Sequence, residues 1–476
     1  MHIINPMRHA LSIALLISLF AANLHAATFI VTNVNDSGAG SLRAAITSVN
    51  ASVDATNTIN FNIPGTGPFT IAPATDLPTI VKNVTINGYS QPGSSVNTLA
   101  QGDNAVLQIV LNGSNYTVGD GLTTGNGLYF AAGSDGSVVK GLVINEWVDN
   151  GILVDTTNTN ITGITIVGNF IGTNATGTAQ MANRTGIALA APGNFDPINT
   201  VIGTPAPADR NLIAGSLTTR GVDSYGVRGA CIFSFFGINT TIQNNYIGTD
   251  KTGTKALGNS LLGLVLWAES GSTLGGSSAN MGNIISGHLV YGLDLRACGA
   301  CTIQNNYFGT DVSGTVALGN GNAGIYIRDN FQATVGGNVG STISNNLISG
   351  NGLQGNALLA NGNGIQCGDN VLPGAILNTI TNNKIGTDIT GLRALPNTGY
   401  GVIVDDSQNT VSNNIISGNL AGGVLIYSIL GQSTVVTGNK IGTDFSGFLP
   451  IPNGGNGIQI GLDSNLSAPS NNIIGQ

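Results

Sequence analysis

The sequence predicts an all-β solenoid, a chain of short strands wound into stacked coils, and composition and two families of internal repeat lead there. The 476 residues include 70 Gly, with 41% hydrophobic and only 8% charged residues. Such a chain is too apolar to be disordered and too poor in Lys, Glu and Arg to be mainly helical. Short strands joined by Gly and Asn turns remain.

The first element is a leader. Met1 to His9 is a short stretch carrying Arg8, Ala10 to Ala22 is an apolar run of 13, and Leu24-His25-Ala26 is a small-residue cleavage site. The apolar run is too short to anchor a protein across a bilayer. Residues 1–26 therefore read as a signal peptide, and the expected location is periplasmic or extracellular after cleavage near Ala26. Without Arg8 the formal net charge moves from -8 to -9. Three of the four histidines (His2, His9, His25) leave with the leader, and only His288 stays. A multi-histidine metal site is thereby excluded, and a Ser-His-Asp or Cys-His system has one candidate base. With so few Lys and Arg, nucleic acid is excluded as a partner. No later stretch is long and apolar enough to be a transmembrane helix.

Residues 27–81 read as an N-terminal cap with entry strands. Within them Ser41 can N-cap a short helix from Leu42 to Val49, placed to cover the open end of a solenoid.

Residues 82–476 are repeats. Ile171-Gly172-Thr173-Asn174 recurs as Ile247-Gly248-Thr249-Asp250, Phe308-Gly309-Thr310-Asp311, Ile385-Gly386-Thr387-Asp388 and Ile441-Gly442-Thr443-Asp444. In each copy an Asn lies nine residues after the Asp or Asn, at Asn183, Asn259, Asn320, Asn397 and Asn453. A second pattern, Gly-apolar-x-apolar, recurs from Gly151 to Gly457, with degenerate copies at Gly127 and Gly229. It marks one strand per coil, alternate side chains inward. Val402 to Val424 spans 22 residues and is one bare coil, whereas Val424 to Ile458 spans 34 and holds a box. The box adds a loop of about a dozen residues, and boxed and bare coils alternate. Within a bare coil Val402, Val411, Ile416 and Val424 fall on successive strands, with Asn414 and Asn419 at corners. Asn suits corners because it tolerates left-handed angles, bonds its own main chain, or stacks in ladders.

With these repeats the chain resembles the right-handed parallel β-helix proteins of the pectin-lyase-like superfamily. The stretch Asn35-Asp36-Ser37-Gly38-Ala39-Gly40-Ser41-Leu42-Arg43-Ala44-Ala45-Ile46 is similar to the C-S-L-R-E-A leader of exported β-helix proteins, with Gly40 and Ala44 in place of Cys and Glu. The resemblance implies a single-stranded right-handed parallel β-helix with a short capping helix.

Cys298 and Cys301 could form a tight disulfide in an oxidising compartment. Cys367 stands where other coils have Ile, Leu or Val and reads as a buried thiol, with Cys231 similar.

The residue after each Gly-apolar-x-apolar strand points outward. Stacked coils would align Trp267, Arg296, Arg328, Asp405 and Tyr427 in a groove, with Asp294, Tyr326, Asp329 and Asp406 beside them. Aromatic faces stack on sugars and Arg grips carboxylates, so this groove suits a polysaccharide or cell-surface glycan, bound through Trp267, Arg296, Tyr326, Arg328, Asp405 and Tyr427. The resemblance also implies an alternative, a polysaccharide lyase, hydrolase or epimerase. Asp294, Arg296, Arg328, Asp329, Asp405 and Asp406 would then be the catalytic candidates, with an Arg base and Asp ligands, although the G-H-G and R-I-K segments of polygalacturonases are absent. A purely structural envelope component is the third class. The reading adopted is a non-enzymatic exported binding solenoid with no cofactor.

Asp250, Asp311, Asp388 and Asp444 supply oxygen ligands that calcium would accept. One carboxylate per loop points instead to a turn-closing role. The run Asn471-Asn472-Ile473-Ile474-Gly475-Gln476 stops in mid-repeat without a polar cap, which predicts end-to-end association or a frayed last coil.

Overall fold

The computed structural model describes residues 26–116, 124–190, 195–215, 229–258, 261–328, 340–352, 361–368, 376–427, 432–461 and 469–475. One bare coil shows how sequence becomes structure. Tyr400–Val404 belongs to a first sheet, Thr410–Ser412 to a second and Ile415–Ile416 to a third, and Gly422–Ile426 returns to the first in parallel register. Val402, Val411, Ile416 and Val424 are all fully buried, so one apolar side chain per strand points inward as the spacing predicts. The first sheet has 11 strands, the second 14 and the third 12, and their pairings are parallel. The chain is a right-handed parallel β-helix.

The core is a set of stacked columns. In the first sheet Ile187, Ile232, Leu264, Leu293, Ile325 and Ile365 are partners in consecutive register, all buried completely. Each such side chain stabilises the fold by about 1.5–3 kcal/mol relative to exposure, and side chains of similar volume in register let neighbouring coils pack closely.

One register departs from the spacing. The coil after Gly186 pairs Ile187 with Ile232, so Cys231 rather than Gly229 takes the glycine position. Phe235, not Phe233, therefore joins the column of Trp267. Three polar or small residues before Ile232 hide the motif in that strand.

Corners are built from Asn in two distinct ways. Between the second and third sheets Asn244, Asn305, Asn345, Asn382 and Asn413 adopt positive φ of 56–58°. The residue after each faces inward and joins a buried ladder, Asn245 to Asn283 to Asn306 to Asn346 to Asn383 to Asn414 to Asn439, each amide donating to the next Oδ1 at 2.9–3.1 Å. The same amides donate to core carbonyls, Asn283 to Ile242 and Asn306 to Leu274. A second ladder at the corner leading back to the first sheet links Asn320, Asn351, Asn397, Asn419 and Asn453. Three of the Asn residues placed nine after a box, Asn320, Asn397 and Asn453, thus belong to this corner ladder; Asn183 bonds the Trp147 N–H and the Ile144 carbonyl, and Asn259 lies outside the described residues.

At the N-terminal end the helix runs Leu42–Ala51, with the Ser41 hydroxyl accepting from the Ala44 N–H. Leu42, Ala45, Ile46 and Val49 are buried and join the core beside Val31 and Ile59. Arg43 is anchored to the Asp36 carboxylate at 2.6 Å and to the carbonyls of Thr75 and Asp76. Gly40 has φ +77°, and a Cβ there would lie 2.3 Å from Thr32 Oγ1, so this version of the leader requires glycine.

The boxed loops are small hairpins, closed by the bridges Thr249 to Ala256, Thr310 to Ala317 and Thr387 to Ala394. Asp311 Oδ1 accepts from the N–H groups of Thr315 and Val316, and Ser313 Oγ donates to its carboxylate at 2.7 Å. Asn174 accepts the same pair of backbone donors, from Thr178 and Ala179. Ser286, Ser349 and Ser417 of the bare coils donate to the box carbonyls of Thr310, Thr387 and Thr443. At the far end Ile473 and Ile474 are exposed. Residues 1–25, which hold most of the expected signal peptide, and Gln476 lie outside the described residues. No helix among the described residues is long and apolar enough to cross a membrane.

Candidate functional site

On the outer face of the first sheet, Trp267, Arg296 and Arg328 are register partners on Leu262–Trp267, Tyr291–Arg296 and Ala323–Arg328. Asp294 and Tyr326 pair with each other two residues earlier in the last two strands. Alternation puts all five side chains outside the core, and the register brings them together.

Asp294 is the hub. Arg296 donates to its Oδ2 from Nε at 2.9 Å and Nη2 at 2.7 Å. Arg328 donates from Nε to Oδ1 at 3.0 Å and from Nη2 to Oδ2 at 2.7 Å. The carboxylate is fully buried, while the Arg296 and Arg328 side chains keep 14% and 28% of their surface. Burial alone would raise the Asp294 carboxyl, but the two guanidinium groups overcome this and hold it below the ordinary carboxylate range. Burial pulls the Arg328 guanidinium down, yet the hydrogen bonds and charge of Asp294 outweigh it and hold it protonated more firmly than usual. The triad carries one net positive charge.

Rings frame it. The Arg296 guanidinium lies 5.3 Å from the Trp267 ring centre and that of Arg328 5.0 Å from Tyr326. Tyr291 packs on Tyr326 at 4.7 Å and Phe235 on Trp267 at 4.7 Å.

The remaining expected residues are not part of this cluster. Asp405 and Tyr427 follow strands two and three coils beyond Arg328, with Gly368 between, so at about 4.8 Å per coil Asp405 is roughly 10 Å away. Asp406 is fully buried against Cys367 rather than in the groove. Asp329 lies outside the described residues. Trp267, Asp294, Tyr326 and Asp405 hold the expected outward positions but are buried. An outward position in a β-helix is not an exposed one when neighbouring rings and guanidinium groups close over it.

His288, the lone candidate base, is inside the corner. Its backbone N–H donates to Asn320 Oδ1, as the backbone N–H groups of Asn320 and Asn351 donate to Asn351 and Asn397, so it occupies a ladder position that Asn fills in other coils. Burial pushes its ring down to about 3, against a smaller opposing effect from the Ile247 carbonyl. The sequence signal was the alignment of Ile285-Ser286-Gly287-His288 with Ile348-Ser349-Gly350-Asn351 and Ile416-Ser417-Gly418-Asn419.

Cys231, Cys298, Cys301 and Cys367 are all free and buried, and Cys298 Sγ donates to the Leu266 carbonyl at 3.2 Å. Beside them Glu269, not singled out from sequence, is fully buried; burial raises its carboxyl while Ser234, Ser272 and the Gly237 N–H bond it. Among the described residues no three His, Cys, Asp or Glu side chains converge as metal ligands would.

No family model matches the sequence. No curated protein matches it either. Among solved structures the chain is similar to the A-module of the Azotobacter vinelandii mannuronan C-5 epimerase AlgE4, at 13% identity and TM-score 0.42 over 94% of this chain and 93% of that one. It is also similar to the Dettilon tailspike protein, at 13% identity and TM-score 0.46 over 90% and 68%, and to PfbA, a surface adhesin of Streptococcus pneumoniae, at 13% identity and TM-score 0.34 over 90% and 90%. None of these likenesses transfers an activity to this chain.

Proposed function

We propose that the protein is an exported β-helix that binds an acidic polysaccharide on the outer face of the first sheet, without chemical turnover. The observation that carries the reading is Asp294 held between Arg296 and Arg328. A carboxylate so clamped stays ionised and has no proton to give, and an arginine so paired is a poor base. What the cluster retains is a fixed net positive charge on the part-exposed Arg296 and Arg328 side chains, which Trp267 and Tyr326 brace from below, suited to a sugar carboxylate. The apolar leader supports export.

The test is a panel of acidic and neutral polysaccharides assayed for retention and for new reducing or unsaturated ends. Retention of acidic glycans without new ends is expected. New ends that disappear in Arg296→Lys or Arg328→Lys would replace binding with the lyase or hydrolase alternative, and absence of retention would remove the proposal.

A further inference from the structure

A second trough lies on the third sheet. From Phe170–Ile171 onward its strands are two residues long, so one residue points in and the other out. The outward ones, Tyr246, Ile284, Tyr307, Leu347 and Lys384, are consecutive register partners and form a straight floor along the helix axis. One wall is the left-handed Asn column, because positive φ turns Asn305, Asn345 and Asn382 away from the core. The other wall is the boxed loops, which fold over this sheet with Val312 and Ile389 facing the trough. Two cavities of about 250 and 280 Å³ lie between the walls and meet at Ala279, Asn305 and Tyr307.

The trough is closed at Tyr246, whose ring is covered by Arg210 at 4.6 Å and whose hydroxyl accepts from the Gly102 N–H. Among the described residues the Tyr307 hydroxyl, the exposed amides of Asn345 and Asn382 and the Lys384 ammonium make no side-chain hydrogen bond or ion pair. Neither loop acid forms an ion pair with Lys384 among the described residues: Asp311 is bonded by Ser313, Thr315 and Val316 and Asp388 by Thr390 and Leu392 of their own loops, although the Asp311 charge is felt at Tyr307. A cation outside any ion pair among the described residues, in a trough of amides and a phenol, suits a ligand with many hydroxyls and a negative group placed at Lys384.

We propose that this trough is a second binding site, for a linear acidic oligosaccharide. The Tyr307 ring supports one sugar face, the Asn345 and Asn382 amides bond sugar hydroxyls, and Lys384 pairs with a carboxylate. The coil rise of about 4.8 Å is close to the length of one pyranose residue, so successive sugars meet successive coils. The site is independent of Arg296 and Arg328, which lie on another sheet.

The experiment is calorimetric titration of the full chain with a hexameric oligogalacturonate, and with a neutral cello-oligosaccharide of equal length, for wild type, Tyr307→Ala, Lys384→Gln and Arg296→Lys/Arg328→Lys. Circular dichroism melting checks each fold. Tyr307→Ala and Lys384→Gln should each weaken one class of site roughly tenfold, about one charge-assisted hydrogen bond, with the Lys384 effect confined to the acidic oligomer. If both bind as wild type while the arginine variant loses binding, this inference fails and the proposed function stands. If binding depends only on Tyr307 and Lys384, the inference stands and the proposed function falls. An acidic oligomer that binds nowhere overturns both, and an equal Lys384 effect on the neutral oligomer overturns the acidic ligand class.

Discussion

The backbone N–H of Val312 donates to the carbonyl of Gly253 at 2.9 Å, joining two boxed loops across the bare coil between them. The contact repeats as Lys251 to Gly177, Ile389 to Gly314 and Phe445 to Gly391. Five loops that the sequence shows only as insertions are therefore one continuous ridge, and it is this ridge that walls the third-sheet trough.

The ridge depends on the glycine three residues after each Asp. Gly253 has φ +70°, and a Cβ there would lie 2.9 Å from Val312 Cβ. Gly253→Ala should cost about 2 kcal/mol, from left-handed strain plus the displaced neighbour. Chemical denaturation would measure it, and a change below about 0.5 kcal/mol would show that the loops do not contribute to the cooperative unit.

The box Asp should tolerate Asn. Asp311→Asn keeps the acceptor for Thr315 and Val316, as Asn174 does for Thr178 and Ala179. The expected change is below about 0.5 kcal/mol, while Asp311→Ala should cost about 1–2 kcal/mol by leaving backbone donors unmet. A melting temperature lowered by chelator in wild type but not in Asp311→Asn would assign the loop to calcium instead.

Adjacent Asn residues should behave oppositely. Asn413, exposed at φ 57°, should accept Gly with little change. Asn414 is buried, receives the Asn383 amide and gives to Ile380 and Asn439. Asn414→Ala should cost about 3 kcal/mol or more, since several buried groups lose partners. Equal effects at the two sites would refute the division of labour.

The clamp at Asp294 makes Arg296 and Arg328 part of what holds the fold. Replacing Arg296 and Arg328 together with Ala leaves a buried carboxylate without a counter-charge and should cost about 3–5 kcal/mol, whereas exposed arginines would cost almost nothing. Adding Asp294→Asn should recover much of the loss. Because the folded carboxyl is held low, its stabilisation is present above the unfolded value of 3.8 and is lost as pH falls through the lower folded value. A double variant that melts like wild type at pH 7 would disprove the buried clamp.

Periodicity made the coils legible, because each strand buries one apolar side chain at a fixed spacing, as Val402, Val411 and Ile416 do. Alternation also placed Trp267, Arg296 and Arg328 on one face. It could not show that Asp294 would be sealed between the arginines, since closure depends on side-chain reach across coils. Nor could it show the third-sheet trough. Strands of two residues leave no alternation to read, and Tyr307 and Lys384 acquire meaning only through the register that aligns them. In Asn pairs such as Asn413-Asn414 the sequence allowed both left-handed turn and ladder; the backbone assigns one to each residue.

His288 gives the protein a built-in acid sensitivity. Its ring is fully buried at a corner otherwise filled by Asn, and burial lowers its folded value to about 3 from 6.5. Below pH 6.5 the unfolded chain takes up a proton that the native chain refuses, so stability falls as pH drops from 6.5 toward 3, at up to about 1.4 kcal/mol per pH unit. Between pH 7 and pH 4.5 this one residue should remove on the order of 2–3 kcal/mol. His288→Asn restores the side chain that Asn351 and Asn397 present in the same ladder, and its amide does not titrate. Urea denaturation of wild type and His288→Asn at both pH values separates this contribution from that of the carboxylates, which both proteins share. The variant should lose less stability on acidification by that difference; an identical loss in the two proteins would mean that the ring is protonated in the native state and that the corner is open to water.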